Sequence, residues 1–172
     1  MLDAVDTQVT AHAGTGLGRG PMDLGRARPL TWPQAHGATA VRPPMHKHIK
    51  PKDHRVVVLG ASPKPSRYSF HAVALLARGG YQVIPVHPKA HRIEQIPVVA
   101  SLRDVPQPVH TLTLYLGKER SKDMIDDILA LGPGRVIFNP GSESHQLEHA
   151  LTSARIPHER ACTLVLLRTG QF

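Results

Sequence analysis

Cysteine is almost absent from this chain, and its scarcity excludes two kinds of site. Cys162 is the single cysteine among 172 residues, so the chain can form neither an intramolecular disulfide nor a zinc site built on several thiolates. Histidine and acidic residues do not occur at a spacing that indicates a metal site. Such cysteine usage is typical of a reducing compartment, and we therefore expect a cytoplasmic protein.

Long apolar runs and aromatic residues are also scarce. No segment approaches the ~20 apolar residues that a membrane-spanning helix requires. The first ten residues, MLDAVDTQVT, lack the basic start and apolar centre of a secretory signal. We therefore expect no membrane partner. Aromatic residues make up 4% of the chain, so the core must consist mainly of valine, isoleucine, leucine and alanine, which suits an α/β fold.

Positive charge is in surplus, because 21 lysines and arginines stand against 13 acidic residues and give a formal net charge of +8. Such a surplus is found in proteins that bind nucleic acid, anionic membranes or phosphorylated small molecules, and also on ordinary solvated surfaces. The basic residues are scattered, and few aromatic residues lie among them to stack on bases. A nucleic-acid binder is therefore the weakest alternative, and a small phosphate-bearing ligand is favoured.

Residues 1–54 differ in composition from the rest of the chain. They hold six of the 16 prolines and six of the 14 glycines. Their apolar residues follow neither a helix nor a strand period, and such a segment cannot bury enough surface to offset the entropy of ordering it. We predict a disordered lead over residues 1–54 and a folded domain over residues 55–172. The abrupt change also makes Met45 an alternative natural start.

From residue 55 onward, strand and helix patterns alternate. Apolar β-branched runs predict strands at residues 55–59, 81–86, 110–116 and 135–138. Apolar residues at i, i+3 and i+4 predict helices that include residues 70–77, 124–129 and 147–154. A last strand is expected in the closing segment HERACTLVLLRTGQF, whose residues 163–167 are apolar. Repeated βαβ units indicate a Rossmann-like α/β fold, a doubly wound and mostly parallel five-stranded sheet with helices on both faces.

The stretch RVVVLGASPKPSRYS, residues 55–69, places a glycine, hydroxyls and two cations between the first strand and the first helix. Backbone N–H groups at a helix N-terminus favour an anion. Arg67 can bind a phosphate through two hydrogen bonds, and Gly60 lets a ligand approach the backbone closely. The alternative is an ordinary turn with solvated basic residues. The concentration of cations and hydroxyls favours an anion site.

The same turn lacks the glycines of a dinucleotide fingerprint. Ser62 and Pro65 stand where G-x-G-x-x-G has its second and third glycines. A site for NAD also requires an acidic residue near the end of the second strand, whereas this chain has VHPK at residues 86–89. A lysine there attracts a phosphate on the ribose. The residues therefore indicate a phosphorylated nucleotide, and coenzyme A (CoA) and NADP both meet that description.

The stretch VVVLGASPKPSRYSFHAVALLARGGYQVIPVHPK resembles the start of the small bacterial CoA-binding domain proteins, which are similar to the CoA-binding domain of the succinyl-CoA synthetase α subunit. The resemblance continues through TLTLYLGKERSKDMIDDILALGPGRVIFNPGSES and ACTLVLLRTGQF, and so covers residues 55–172. It implies a Rossmann-like sheet with CoA bound across the first two strand-end loops. The residues that it assigns to the ligand are Gly60, Ala61, Ser62, Arg67, Tyr68, Ser69, Val86, His87, Pro88, Lys89 and Tyr115.

We expect a stand-alone module that binds CoA or an acyl-CoA, and we assign no residue a catalytic role. The synthetases use further domains and a phosphorylated histidine, and we expect no such extension after Phe172. Cys162 could act as a nucleophile or pair with the CoA thiol, but a structural cysteine is the commoner outcome. The alternative is an enzyme that uses NADP or transforms acyl-CoA. A homodimer is left open.

Overall fold

The computed structural model of the protein describes residues 49–172, which form a five-stranded sheet flanked by helices. In chain order, the elements are β1 (Arg55–Leu59), α1 (Tyr68–Arg78), β2 (Gln82–Val86), β3 (Arg92–Ile93), β4 (Ile96–Pro97), β5 (Thr111–Leu114), α2 (Lys118–Lys122), α3 (Ile125–Leu131), β6 (Arg135–Phe138), α4 (His145–Ser153), β7 (His158–Arg160) and α5 (Thr163–Thr169). A 3-10 turn at Leu102–Asp104 interrupts the long connection between β4 and β5.

The sheet has the strand order β2-β1-β5-β6-β7, and every neighbouring pair is parallel. The chain moves outward from β1 to β2 and then crosses back, so that β5 lies on the other side of β1. The order therefore reverses between β1 and β5, whose last paired residues are Leu59 and Leu114. In open α/β sheets, ligands bind in the crevice that such a reversal creates at the carboxyl ends of the strands. The predicted Rossmann-like fold is confirmed.

Strand β1 lies at the centre of the core because its three valines are β-branched and fully buried. Successive side chains of a strand point to opposite faces of the sheet. Val57 accordingly packs in a cluster with Ile128 of α3 on one face. Val56 and Val58 pack on the other face with Leu76 of α1. Burial on both faces explains why the strand is a continuous apolar run rather than an alternating one.

Local sequence explains where several helices begin and end. The hydroxyl of Ser144 caps α4 by accepting a hydrogen bond from the N–H of Leu147 at 3.4 Å. Helix α3 ends at Gly132, whose φ of 58° is a left-handed conformation that glycine adopts easily. Helix α1 follows Arg67, and no side chain caps it. The N-terminus of α1 is therefore open to another acceptor.

Two elements differ from the sequence prediction. The last strand, β7, is the polar segment His158–Arg160, which pairs with β6 at the edge of the sheet. The apolar residues 163–167 belong to helix α5, and Leu167 packs against the cluster that includes Leu76 of α1. An edge strand is partly open to solvent and so needs no apolar run. The sequence also did not indicate the short β3–β4 hairpin, whose Ile93 is buried.

The predicted lead lies mostly outside the described residues. Residues 1–48, and Met45 with them, are not part of the description, so the predicted disorder and the alternative start stay predictions. The end of the lead is described. A 3-10 turn spans Pro51–Asp53, and Nε2 of His54 lies 2.9 Å from Oγ1 of Thr111. This short piece therefore contacts the N-terminal edge of the sheet.

Candidate functional site

Four loops meet at the carboxyl edge of the sheet, on both sides of the point where the strand order reverses. They begin at Gly60 after β1, His87 after β2, Tyr115 after β5 and Asn139 after β6. The four strands are parallel, so their carboxyl ends share one edge. Two neighbouring cavities open among these loops.

The first cavity has a volume of about 470 Å³ and lies between the loops that follow β1, β2 and β5. This volume is within the usual range for a small-molecule site. Most of the residues that the sequence assigned to the ligand line this cavity, namely Gly60, Ala61, Ser62, Arg67, Val86, His87, Pro88 and Tyr115. Residues from three separate strand ends are thus brought together.

The second cavity, of about 430 Å³, lies between the N-terminus of α1 and the loop after β6. Tyr68 and Ser69 line this second cavity rather than the first. The two cavities are neighbours, because four residues line both, namely Arg67, Tyr115, Leu116 and Arg120. Lys89 is exposed and lies outside the lining of both cavities.

Gly60 is required where the first loop passes the end of β5. Its φ is 82°, and a Cβ built at this position would lie 2.7 Å from Cδ2 of Leu116 and 2.9 Å from the carbonyl oxygen of Tyr115. Any other residue would be strained and would also clash with backbone. The N–H groups of Gly60 and Ala61 both donate to the carbonyl oxygen of Val86 at 3.2 Å. The loops after β1 and β2 are therefore joined directly.

The amides that are free to bind an anion lie further along the first loop. Those of Gly60 and Ala61 are occupied by Val86, and the N–H of Lys64 donates to the hydroxyl of Ser62 at 3.3 Å. Within residues 49–172, the backbone N–H groups without an acceptor in this loop and the first turn of α1 are those of Ser62, Ser66, Tyr68 and Ser69. A helix N-terminus with such amides attracts negative charge.

His87 shapes the second loop. Its Nδ1 accepts hydrogen bonds from the N–H groups of Lys89 at 3.1 Å and Ala90 at 2.9 Å. The ring is partly buried and lines the first cavity. The two hydrogen bonds to His87 therefore close the turn at Pro88 and Lys89.

Tyr115 stands between the two cavities. Its ring lines both of them, whereas its hydroxyl oxygen is buried and has no hydrogen-bond partner among the described residues. Burial raises the pKa of the phenol well above its usual value, and the nearby hydroxyl of Thr163 acts in the opposite direction. The hydroxyls of Thr113 and Thr163 are 2.7 Å apart and bond to each other. Tyr115 therefore remains protonated and neutral at physiological pH.

Asn139 connects the loop after β6 to the interior. Its side-chain amide donates to Oγ1 of Thr113 at 2.6 Å and to the carbonyl oxygen of Leu114 at 3.1 Å. Its side-chain oxygen accepts the N–H of Thr163 at 2.8 Å, at the start of α5. Asn139 is 3% exposed and uses both ends of its amide. It thus fixes the floor of the second cavity.

Cys162 precedes α5 and is partly buried. The histidine nearest to it in the sequence, His158, has its Nδ1 3.2 Å from the carbonyl oxygen of Ile156. Glu143 accepts the N–H of Gly141 at 2.9 Å. The contacts of His158 and Glu143 thus shape their own loops, and within residues 49–172 neither side chain forms a hydrogen bond with Cys162. Among residues 49–172, no group of three or more histidine, cysteine or acidic side chains could hold a metal ion.

Sequence reasoning missed the charged residues that α2 and α3 bring to the site. Arg120, Asp123 and Asp127 line the first cavity. Asp127 also accepts a hydrogen bond from Nε of Arg103 at 2.9 Å. No local pattern indicated this, because α2 ends at Lys122 and α3 begins at Ile125, so the three residues do not share one helix. This set gives the cavity one cationic and one anionic part.

The parallel α/β sheet defines a Rossmann-like protein, and the paired cavities at its reversal point are a candidate small-molecule site. The model of the CoA binding domain family matches residues 54–168, and the chain belongs to this family. The described helices include none with the length and apolar character needed to cross a bilayer.

Two solved structures are similar to the chain over most of their length. An uncharacterized protein known from a crystal structure is 36% identical, with a TM-score of 0.66 over 69% of this chain and 98% of that chain. The protein called cell-free ID.343 from Thermus thermophilus is 31% identical, with a TM-score of 0.64 over 69% of this chain and 90% of that chain.

One curated relative matches a shorter region. The uncharacterized protein YneT of Bacillus subtilis (strain 168) is 25% identical over 83 residues, which make up 48% of this chain and 62% of the relative. The match thus spans less than two thirds of the length of that relative.

Proposed function

We propose that the protein binds coenzyme A or a CoA thioester across the carboxyl edge of its sheet, as a stand-alone binding module. The observation that carries this proposal is the first cavity, in which residues of the β1 and β2 loops and Arg67 converge at the reversal point of the sheet. The chain belongs to the CoA binding domain family, which makes CoA the expected occupant.

The phosphates have suitable partners at the junction of β1 and α1. The N–H of Ser62 has no acceptor among residues 49–172, and Ser62 lines the first cavity. Arg67 follows in the same loop, lines the same cavity and can form charge-assisted hydrogen bonds with a diphosphate. We place the diphosphate against Arg67 and the N–H of Ser62.

The adenosine part fits the first cavity. Apolar side chains such as Val86 and Leu59 offer a surface for a planar base, and Asp123 or Asp127 can accept a hydrogen bond from an amino group. The exposed Lys89 follows directly on Pro88, and we propose that it supplies a mobile charge for the 3′-phosphate.

Calorimetric titration of the full chain tests this proposal. We expect CoA to bind, and the Arg67→Ala variant to bind it more weakly by about 1.5–3 kcal/mol because a charged hydrogen bond is lost. Arg78→Ala is the matched control, since Arg78 is exposed at the other end of α1. If the Arg67 variant and the wild type bind CoA with equal affinity, the assignment of Arg67 to the site is contradicted.

The 3′-phosphate is tested with dephospho-CoA and NADP. We expect dephospho-CoA to bind more weakly than CoA. We expect Lys89→Ala to lower the affinity for CoA and to leave the affinity for dephospho-CoA unchanged. A Lys89 effect of the same size on both ligands would contradict the assignment of Lys89. Tighter binding of NADP than of CoA would instead favour an oxidoreductase.

A further inference from the structure

The second cavity differs from the first in charge. Arg67 and Arg120 line it, and no carboxylate does, whereas Asp123 and Asp127 line the first cavity. Neither arginine side chain forms an ion pair or hydrogen bond within the part of the chain that the structure describes. A group that enters the second cavity therefore meets two guanidinium groups and no carboxylate within the described lining.

Ser69 gives a second and independent indication of a ligand. It is 4% exposed and lines the second cavity, and its hydroxyl has no hydrogen-bond partner among residues 49–172. Its hydroxyl oxygen is not among the enclosed side-chain atoms without a partner, which in the described residues comprise the Tyr115 hydroxyl, so it is accessible to a ligand. The backbone N–H groups of Tyr68 and Ser69 lack an acceptor as well. An oxygen atom placed in this cavity would satisfy the hydroxyl and the amides together.

The opposite wall of the second cavity is polar and already bonded. Ser142 is 2% exposed, and its hydroxyl donates to the carbonyl oxygen of Asn139 at 2.7 Å. Asn139 is itself held by β5 and α5. Leu116 and Pro140 supply the aliphatic surface of the lining. The free donors of this cavity are a good match for a compact anion.

We propose that the second cavity is an oxyanion subsite in which Arg120 and the hydroxyl of Ser69 hold a carboxylate or phosphate group. This inference rests on the proposed function, because Tyr115 and Leu116 line both cavities and a thioester seated in the first can place its acyl end in the second. The oxyanion has two sources with the same chemistry. It is either the terminal carboxylate of a short acyl group or a free phosphate ion bound beside CoA.

Thioesters that differ in one carboxylate test the first source. Malonyl-CoA and propionyl-CoA form one pair of equal chain length, and glutaryl-CoA and valeryl-CoA form another. We expect calorimetry on the full chain to show about 10-fold tighter binding of the carboxylated member of at least one pair. Ser69→Ala and Arg120→Gln should each reduce this preference to near unity. Arg78→Gln is the matched control and should retain it, and thermal melts check that each variant is folded.

Phosphate tests the second source. Inorganic phosphate is titrated into the protein saturated with CoA, and binding that Arg120→Gln and Ser69→Ala both weaken would assign the subsite to a free ion. If CoA binds but neither the carboxylate preference nor such phosphate binding is found, the subsite is rejected and the proposed function stands. If CoA does not bind, the proposed function fails. In that case, inorganic phosphate is titrated into the protein without CoA. Phosphate binding that Arg120→Gln weakens would support the subsite, and any other result would reject it.

Discussion

At the scale of single residues, the site depends on a few buried polar groups at the carboxyl ends of β5 and β6. Asn139 saturates its hydrogen bonds with Thr113, Leu114 and Thr163. Tyr115, one residue after β5, does not, because its buried hydroxyl has no partner in the described part of the chain. A buried polar group without a partner loses its hydration and gains nothing in return. Tyr115 is therefore held in place by the packing of its ring.

Replacing Tyr115 by phenylalanine tests this account. We expect Tyr115→Phe to raise the free energy of unfolding at pH 7 by about 1 kcal/mol, because an unsatisfied hydroxyl is removed and the ring is kept. Urea unfolding measures the change. A loss of more than about 1 kcal/mol would mean that the hydroxyl is hydrogen-bonded in the native state.

The same variant has a defined pH dependence. Burial raises the pKa of the native Tyr115 phenol, so the neutral form is favoured in the folded state. The stability that this shift contributes is present below the ordinary pKa of about 10 and is lost as the pH rises above it. The difference between wild type and Tyr115→Phe should therefore grow from pH 9 to pH 11, always in favour of the variant. A constant difference would contradict the raised pKa.

Sequence reasoning reached some of these residues and not others. Gly60 and Arg67 were found because a strand-to-helix turn has local rules for glycine and for cations. Sequence reasoning assigned no role to Asn139, because its bonds to Thr113 and Thr163 depend on how β5, β6 and α5 pack. Contacts between residues distant in sequence have no local pattern, and so the inward role of Asn139 could not be predicted.

At the scale of elements, α4 is tied to β7 by one carboxylate. Oε1 and Oε2 of Glu148 accept hydrogen bonds from Nε and Nη2 of Arg160 at 2.7 and 2.8 Å. Nδ1 of His145 lies 3.5 Å from Oε2 of the same carboxylate. The hydrogen bonds from Arg160 lower the pKa of Glu148 below its usual value. Because β7 is a three-residue edge strand, this pair anchors the last strand to the helix before it.

The pair predicts a pH dependence of stability. The lowered pKa of Glu148 contributes stability that is present above the ordinary glutamate pKa of about 4.3 and is lost as the pH falls toward the native pKa. The wild type should therefore be more stable than Glu148→Gln at pH 6–7, and this advantage should shrink below about pH 4.3. Urea unfolding over this range measures it. Glu119→Gln is the control, because Glu119 is exposed on α2 and forms no ion pair in the described residues. An advantage that is independent of pH would contradict the account.

The strands that the sequence predicted correctly are those with apolar runs. Strands β1, β5 and β6 lie inside the sheet and are apolar for that reason, and the edge strand β2 has the apolar sequence QVIPV. Strand β7 is at the other edge and has the polar sequence HER, which gives no such signal. The β3–β4 hairpin has two residues in each strand and is too short for any period. Polar sequence and short length explain the two misses.

At the scale of the whole molecule, the sequence predicted which edge of the sheet brings the candidate residues together but not which other residues line the cavities there. Strand ends in a parallel sheet must share an edge, so the loops at Gly60 and His87 could be placed together from topology alone. Arg120 and Asp127 reach the same cavity because α2 and α3 pass over it. The path of these helices depends on tertiary packing, which sequence patterns do not specify.

The division of the chain into a lead and a domain makes a further prediction. The composition of residues 1–44 predicts little burial of apolar surface, so we expect a chain that starts at Met45 to melt at nearly the same temperature as the full chain. Differential scanning calorimetry of both chains measures this. A melting temperature lower by several degrees in the shorter chain would show that the first 44 residues contribute to the stability of the domain.

The central claim, that CoA lies across the carboxyl edge of the sheet, is tested most directly by hydrogen–deuterium exchange with and without CoA. We predict slower exchange at residues 62–69 and 115–120, which border the two cavities. The opposite edge also has a cavity, lined by residues such as His110 and Arg135, and serves as the internal control. Slower exchange at that edge alone, or no change anywhere at saturating CoA, would contradict the account.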